Sequence, residues 1–120
     1  MKLKALVIAA ALVVSVLTTS ETVSAHPGYS GPCHAAVDTH WPASLQSWAH
    51  RIVQRESRGI PTAANKRSSA RGCFQMLLRY SSPFYRAVGC SNYNWSNANC
   101  NVKAAYALYK KAGARPWRTY

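Results

Sequence analysis

The chain has 120 residues, with 15 Lys and Arg against 3 Asp and Glu, and a formal net charge of +12. This length leaves room for one small domain whose core alone gives only marginal stability. A positive field of this size draws a protein to polyanions, namely nucleic acids, acidic membranes or anionic cell-wall polymers.

The first 25 residues predict a secretory signal peptide. Lys2 and Lys4 precede an apolar run at positions 5–17, and small residues ending in Ala25 complete the pattern. The apolar run is too short to span a membrane, and no later stretch qualifies. We therefore expect export with cleavage after Ala25, into the medium or the cell wall. Export favours membranes and wall polymers over nucleic acid as partners.

Residues 26–120 then form the mature chain, with 13 basic and 2 acidic residues and a net charge of +11, because two lysines and one glutamate leave with residues 1–25. Residues 26–42 are rich in Gly, Pro, Ser and His and predict an irregular N-terminal arm. Residues 43–120 are expected to form the domain, which we expect to be a monomer.

An even number of cysteines in a short exported chain predicts two disulfide bonds. The cysteines are Cys33, Cys73, Cys90 and Cys100. Three pairings are possible, and we favour Cys90–Cys100, which closes a short loop and leaves Cys33–Cys73. Metal binding is the alternative. However, the chain has no C-x-x-C pair, and its four histidines lack a zinc-site spacing, so we expect no metal and no cofactor.

An apolar stripe at positions i, i+3, i+4, i+7 and i+8 predicts the first strong helix. It is formed by Leu45, Trp48, Ala49, Ile52 and Val53. Pro42 suits the first turn of this helix, and Gly59 and Pro61 end it. The stripe continues to Glu56, so the buried side of the helix ends in a carboxylate.

The residues after this helix predict a small polar lobe followed by a short helix. Residues 61–72 are a polar loop that can hold a short hairpin. Residues 73–78 are an apolar run whose secondary structure the sequence leaves open. Residues 81–86 predict a short helix with Pro83 near its start.

The last helix is predicted at about residues 101–112, from a stripe that includes Val102, Ala105, Tyr106 and Tyr109. Asn99 or Asn101 can cap its start, and Gly113 stops it. We expect the tail at Pro116 and Trp117 to pack back on the body. The sum is an α+β protein, mostly helical, with a small loop or hairpin lobe and disulfide staples.

Glu56 is the first candidate for chemistry. A carboxyl group held against apolar side chains is costly to ionise. If it stays protonated near neutral pH, it can act as the general acid of a glycosidase. The alternative is an ordinary helix-end glutamate paired with an arginine, either Arg55, Arg58 or Arg67.

The other ionisable and aromatic candidates are weaker. Asp38 is the only other acid of the mature chain, but a turn or a cap at the start of a helix accounts for it better than catalysis. His40 and His50 lack a nucleophile motif and are interpreted as surface or packing residues. Trp48 belongs to a core stripe. Trp95, in the loop between Cys90 and Cys100, is the better candidate for stacking on a sugar ring.

Two segments carry a resemblance to a known family. They are residues 55–65, beginning Arg-Glu-Ser and containing Pro-Thr-Ala, and residues 68–76, containing Ala-Arg-Gly-Cys-Phe-Gln-Met. Together they resemble the lysozyme-like domain of soluble lytic transglycosylases, above all its compact exported forms from bacteria and phages. Residues 101–106 resemble a later helix of that family. The similarity covers about residues 45–117.

The resemblance implies a lysozyme-like fold and a cleft that binds peptidoglycan glycan strands. Glu56 would be the catalytic acid and then the base, and Ser57 would help to fix the site. Gly72 would leave backbone room near the substrate, and Gln75 would hydrogen-bond a sugar. Phe74, Trp95 and Tyr106 complete the set of candidate substrate-binding residues.

The chain departs from the family pattern at two places. Cys73 stands before Phe-Gln where an apolar residue is usual, and the motif Ala-Tyr-Asn-x-Gly after the last helix is replaced by residues 114–117. The second departure removes a tyrosine expected near the catalytic glutamate.

Three functions follow from the sequence. The first is cleavage of the β-1,4 bond between N-acetylmuramic acid and N-acetylglucosamine, by hydrolysis or by formation of an anhydro sugar. The second is wall binding without catalysis. The third is action on membranes as a cationic antimicrobial protein, although the basic residues are scattered rather than gathered on one amphipathic face.

Overall fold

Four α-helices and one small hairpin follow one another in the computed structural model, which describes residues 26–118. The elements are α1 (Pro32–His40), α2 (Ala43–Ser57), β1 (Ala70–Arg71), β2 (Met76–Leu77), α3 (Ser82–Ala87) and α4 (Ala98–Ala112), with single 3-10 turns at Asn92–Asn94 and Arg115–Trp117. The mostly helical α+β class is thereby confirmed. The predicted signal peptide lies outside the described residues.

Helix α2 forms where the apolar stripe predicts it. Ala49, Ile52 and Val53 are buried on its inner face. The helix ends at Ser57 because Arg58 adopts the left-handed conformation, with φ of 55°, and donates its backbone N–H to the carbonyl of Gln54. The predicted end near Gly59 is thus confirmed.

Helix α1 corrects the prediction of an irregular N-terminal arm. Residues 32–40 are helical, with Pro32 in the first turn. Cys33, Ala36 and Val37 stand at i, i+3 and i+4 and are buried, so a short apolar stripe holds this helix against α2 and α4. Its Gly- and Pro-rich flanks concealed this stripe in the sequence.

Strands β1 and β2 form a small hairpin lobe as expected, but it lies later than the predicted residues 61–72, because β2 falls in the apolar run at 73–78. They pair antiparallel, with Ala70 opposite Leu77 and Arg71 opposite Met76. The turn between them requires a glycine. A Cβ atom on Gly72 would lie 2.4 Å from the Nδ2 of Asn101, and the φ of Gly72 is 81°.

Helix α4 begins three residues earlier than predicted and has a different cap. Asn97 accepts the backbone N–H of Cys100 at 2.9 Å, so neither Asn99 nor Asn101 is the cap. Asn101 is instead fully buried. Gly113 ends the helix with φ of 67°, as predicted.

The core lies between α1, α2, α4 and the hairpin turn. The rings of Trp41 and Phe74 stack with centroids 5.1 Å apart. Trp117 is 5 % exposed and donates its indole N–H to the carbonyl of Phe74 at 2.9 Å, which confirms that the tail packs back.

Two disulfide bonds staple this core. Cys33–Cys73 joins α1 to the hairpin turn, and Cys90–Cys100 joins the loop after α3 to α4. The favoured pairing is therefore confirmed. Within residues 26–118, no helix combines the length and the hydropathy needed to cross a membrane.

Candidate active site

Glu56 lies on the last turn of α2, at the edge of its buried face. Its side chain is 26 % exposed, and its Oε2 accepts a hydrogen bond from Nη2 of Arg55 at 2.9 Å. The guanidinium of Arg55 also donates to the backbone carbonyl of Trp117. The ion pair that the sequence left as an alternative is therefore present, with Arg55 rather than Arg58 or Arg67 as the partner.

Ser57 connects the end of α2 to the hairpin turn. Its hydroxyl lies 3.0 Å from the carbonyl oxygen of Val53 and 2.8 Å from that of Cys73, and it accepts the N–H of Gly59 at 3.2 Å. The side chain is buried. Ser57 can therefore position Glu56, but it is not placed to contact a ligand itself.

Gln75 lies in the turn that Ser57 contacts. Its φ of 51° is unusual for a residue other than glycine, and such conformations are concentrated at functional sites. Its amide nitrogen donates to the carbonyls of Ala63 at 3.0 Å and Gly72 at 3.1 Å. Both amide protons are thereby used, so a ligand would have to bind the Gln75 Oε1.

A cleft of about 360 Å³ opens beside this turn. It is lined by Gln75, Met76, Leu77, Tyr80, Ser81, Phe84, Leu108, Pro116 and Trp117. Tyr80 is 66 % exposed and Leu77 is 46 % exposed. Apolar and aromatic walls with a few polar groups are typical of pockets for small organic ligands, including sugar rings. The carboxylate of Glu56 does not line this cleft, and its partner Arg55 donates to the backbone carbonyl of Trp117 in the cleft wall.

The remaining predicted substrate-binding residues lie elsewhere. Phe74 is fully buried in the core, which corrects its assignment as a substrate contact. Gly72 is buried as well, and the space beside it is filled by Asn101 and by the carbonyl of Trp95. Trp95 is half-buried, with the guanidinium of Arg71 6.0 Å from its ring centroid. Tyr106 packs against the ring of Trp41. None of these four lines the cleft.

Of the residues that line the cleft, Gln75 alone was a predicted substrate-binding residue. Leu77, Tyr80, Phe84 and Leu108 come from four different elements or loops and form no motif along the chain. Only the exposed positions of large apolar residues signal a binding surface. Which of these residues are exposed can be known only from the folded structure.

Asp38 belongs to a separate polar cluster, which corrects its interpretation as a turn or a cap at a helix start. It lies in α1, and its Oδ1 is 2.7 Å from Nε2 of the fully buried His50. The Nδ1 atoms of His50 and His34 are 2.8 Å apart. Burial lowers the pKa of His34 below its usual 6.5, against the opposing effect of its hydrogen bond to Gln54. Asp38 is therefore engaged away from the predicted catalytic motif.

Comparisons of the chain with protein-family models, with curated proteins and with solved structures give no match. The class that the structure defines is a mostly helical, disulfide-stapled α+β domain with an apolar cleft beside its hairpin.

Proposed function

We propose that this protein is an exported enzyme that cleaves the β-1,4 bond between N-acetylmuramic acid and N-acetylglucosamine in peptidoglycan, with Glu56 as general acid and base on a lysozyme-like fold. One observation carries the proposal. The two segments of the family resemblance are in contact, because the Ser57 hydroxyl meets the carbonyl of Cys73 at 2.8 Å and the N–H of Gly72 meets the carbonyl of Ala63 at 2.8 Å. The residue after Glu56 is therefore hydrogen-bonded to the turn that holds Gln75.

In the first step, protonated Glu56 donates its proton to the glycosidic oxygen as the bond to C1 of the muramic acid breaks. The carboxylate that forms is stabilised by the Arg55 guanidinium, which lies 2.9 Å from its Oε2. A neighbouring sugar ring of the glycan strand would lie in the apolar cleft, against Tyr80 and Trp117, while the scissile bond lies outside it at Glu56.

In the second step, the Glu56 carboxylate removes a proton from the group that attacks C1. We favour the 6-hydroxyl of the same muramic acid, which gives an anhydro sugar and adds no water. Asp38 is the only other acid within residues 26–118, and it is bound to His50. A glycosidase with two catalytic carboxylates would need both near the scissile bond.

The rest of the chain suits this role. Two disulfide bonds fit an oxidising compartment outside the cytoplasm. The net charge of +11 expected after removal of residues 1–25 would hold the protein on anionic wall polymers.

Glu56→Gln tests the assignment with minimal change of shape. We expect lysis of purified peptidoglycan to fall by about 10²-fold or more, because general acid–base catalysis contributes factors of that size. Asp38→Asn is the matched control, since it removes the other acid in the same way and should retain lysis. Equal clearing by the Glu56→Gln variant and the wild type would rule out the assignment.

Mass analysis of the released sugars separates the two routes. Hydrolysis adds one water per cleaved bond, and anhydro formation adds none. Products that all carry the added water would exclude the 6-hydroxyl as the nucleophile and leave Glu56 as the acid.

Wall binding without catalysis is the second candidate. It is favoured by the ion pair of Glu56 with Arg55 and by the absence of Glu56 from the lining of the cleft. Sedimentation of the wild type with walls, without release of muropeptides, would support it. A cationic membrane-active role ranks third. It would gain support if bacterial killing persisted undiminished in the Glu56→Gln variant.

A further inference from the structure

A cluster of three histidines and one aspartate joins the segment before α1 to α1 and α2. Its members are His26, His34, Asp38 and His50. His50 is fully buried and His34 is 2 % exposed, whereas the side chain of Asp38 is 35 % exposed. One edge of the cluster is therefore open to solvent, and the other is sealed in the protein.

A line of polar contacts runs through this cluster. The Oε1 of Gln54 lies 3.2 Å from Nε2 of His34, and Nδ1 of His34 lies 2.8 Å from Nδ1 of His50. Nε2 of His50 then lies 2.7 Å from Oδ1 of Asp38. Both ends of this line are oxygens that can only accept, because one is an amide carbonyl and the other a carboxylate.

Each of the three contacts needs one proton between its two heavy atoms to form a hydrogen bond, or one metal ion that binds both atoms. Two neutral imidazole rings carry one N–H proton each, so they satisfy two of the contacts. The third contact therefore needs one more cation, which is either an extra proton or a metal ion. The contacts of His50 with Asp38 and of His34 with Gln54 are both partly buried, and the contact with Asp38 is the one that His26 adjoins.

His26 makes this position suitable for a metal ion. Its Nε2 lies 3.8 Å from Oδ1 of Asp38 and 3.2 Å from Oε1 of Gln46, a contact that metal binding would replace. One ligand atom each of His26, Asp38 and His50 all lie within 4.8 Å of one another. A tetrahedral zinc ion with bonds of about 2.0–2.1 Å separates its ligands by roughly 3.3 Å. Two of the three separations, 2.7 Å and 3.8 Å, lie on either side of that value, and the third is no longer than 4.8 Å.

We propose that His26, Asp38 and His50 bind a divalent transition-metal ion of the class that imidazole prefers, with Zn²⁺ as the representative. His50 would bind through Nε2 and donate its Nδ1–H to His34, which in turn donates to Gln54. A metal-bound histidine usually donates its other N–H to such a partner, which fixes the tautomer and the ring orientation. Water at the exposed edge completes the coordination.

The ion would fasten the segment that contains His26 to α1 and α2, so its role is structural. Mg²⁺ is excluded by the donor set, because it prefers oxygen ligands over imidazole. The site does not depend on the proposed catalysis by Glu56.

Zinc titration of the exported protein tests the site. The purified chain is characterised by mass to define its first residue, freed of any affinity tag, stripped with a chelator and titrated with Zn²⁺ by calorimetry at pH 7.5. We expect one ion per chain and no binding of Mg²⁺. His26→Ala and Asp38→Asn should each weaken binding at least tenfold. His40→Ala is the matched control, because His40 contacts Asn99 and lies outside the cluster.

The variants separate this site from a simpler chelate. If the exported chain begins at His26, its amino group and imidazole can bind a metal without Asp38 or His50. Unchanged zinc affinity in the Asp38→Asn variant would therefore overturn the proposal. A wild type that binds no zinc would overturn it too, since the third cation would then be a proton.

Thermal unfolding gives a second readout. The melting temperature of the wild type and of His40→Ala should rise with zinc, and that of His26→Ala should rise clearly less at the same zinc concentration. His26 lies before α1, and near-UV circular dichroism of the zinc-free His26→Ala variant checks that the fold is kept. An equal rise in all three proteins would contradict the proposed ligand set.

Discussion

At the scale of single residues, Asn101 connects three parts of the protein. Its Oδ1 accepts the backbone N–H of Phe74 at 2.9 Å, and its Nδ2 donates to the carbonyl of Arg71 at 3.1 Å and to the hydroxyl of Tyr85 at 2.9 Å. Burial raises the pKa of Tyr85 to about 12, so this hydroxyl stays protonated under all ordinary conditions. The hairpin turn, α3 and α4 therefore meet at one amide.

Replacing this amide should be among the more damaging single changes. We expect Asn101→Ala to lower the free energy of unfolding by about 2–4 kcal/mol, because it leaves buried polar groups without partners and opens a cavity. Urea unfolding followed by circular dichroism measures this. Asn99→Ala, on the exposed side of the same helix, should stay within about 0.5 kcal/mol of the wild type. Equal losses in the two variants would mean that the three hydrogen bonds contribute little.

At the scale of elements, the sequence predicts the helices that are long enough to show a repeating apolar stripe. Helices α2 and α4 carry long apolar stripes, and both were predicted to within a few residues. Helix α1 was missed, because nine residues between Gly31 and Trp41 hold too short a stripe to outweigh a Gly-, Pro- and His-rich composition. Local pattern is strong evidence only where an element is long enough to repeat it.

The candidate site residues divide in the same way, into those that belong to a sequence motif and those that only the fold brings together. Glu56 and Gln75 stand in motifs that can be read along the chain. The pairing of Asp38 with His50 exists only because α1 and α2 pack together, and the cleft exists only because Trp117 folds back beside Gln75. Contacts between residues far apart in sequence leave no trace in the spacing of either.

The two disulfide bonds connect different elements and should differ in how much each contributes to the free energy of unfolding. Cys33–Cys73 spans 40 residues and Cys90–Cys100 spans 10. The chain-entropy relation predicts a stabilisation of about 3.9 kcal/mol for the first and about 2.7 kcal/mol for the second. Replacing each pair by alanines and measuring urea unfolding should therefore show the larger loss for Cys33 and Cys73. A larger loss for Cys90 and Cys100 would show that the shorter loop is under other constraints.

At the scale of the whole molecule, charge is the dominant feature. The 13 basic residues of positions 26–118 face only two acids, and these are already bound to Arg55 and His50. Little negative charge is therefore left to offset the positive field. Such a field acts over roughly 8 Å at physiological ionic strength and less at higher salt.

Binding to walls should accordingly depend on salt. We expect the fraction of protein that sediments with intact walls to fall steeply between 0.1 M and 1 M NaCl, where the Debye length shrinks from about 10 Å to about 3 Å. Walls stripped of anionic polymers should bind less protein at low salt and show little salt dependence. Sedimentation that is unchanged by both treatments would show that the net charge does not drive binding.

The core of the protein is complete only once Trp117 has been added to the chain. In chain order it is the last buried residue of the described core, and its indole N–H closes on the carbonyl of Phe74. Because a chain is synthesised from its N-terminus, the ring of Phe74 lacks its edge-on partner until residue 117 has emerged. Premature termination after Gly113 would therefore release a product with exposed aromatic surface, which is the kind of species that proteases and chaperones recognise.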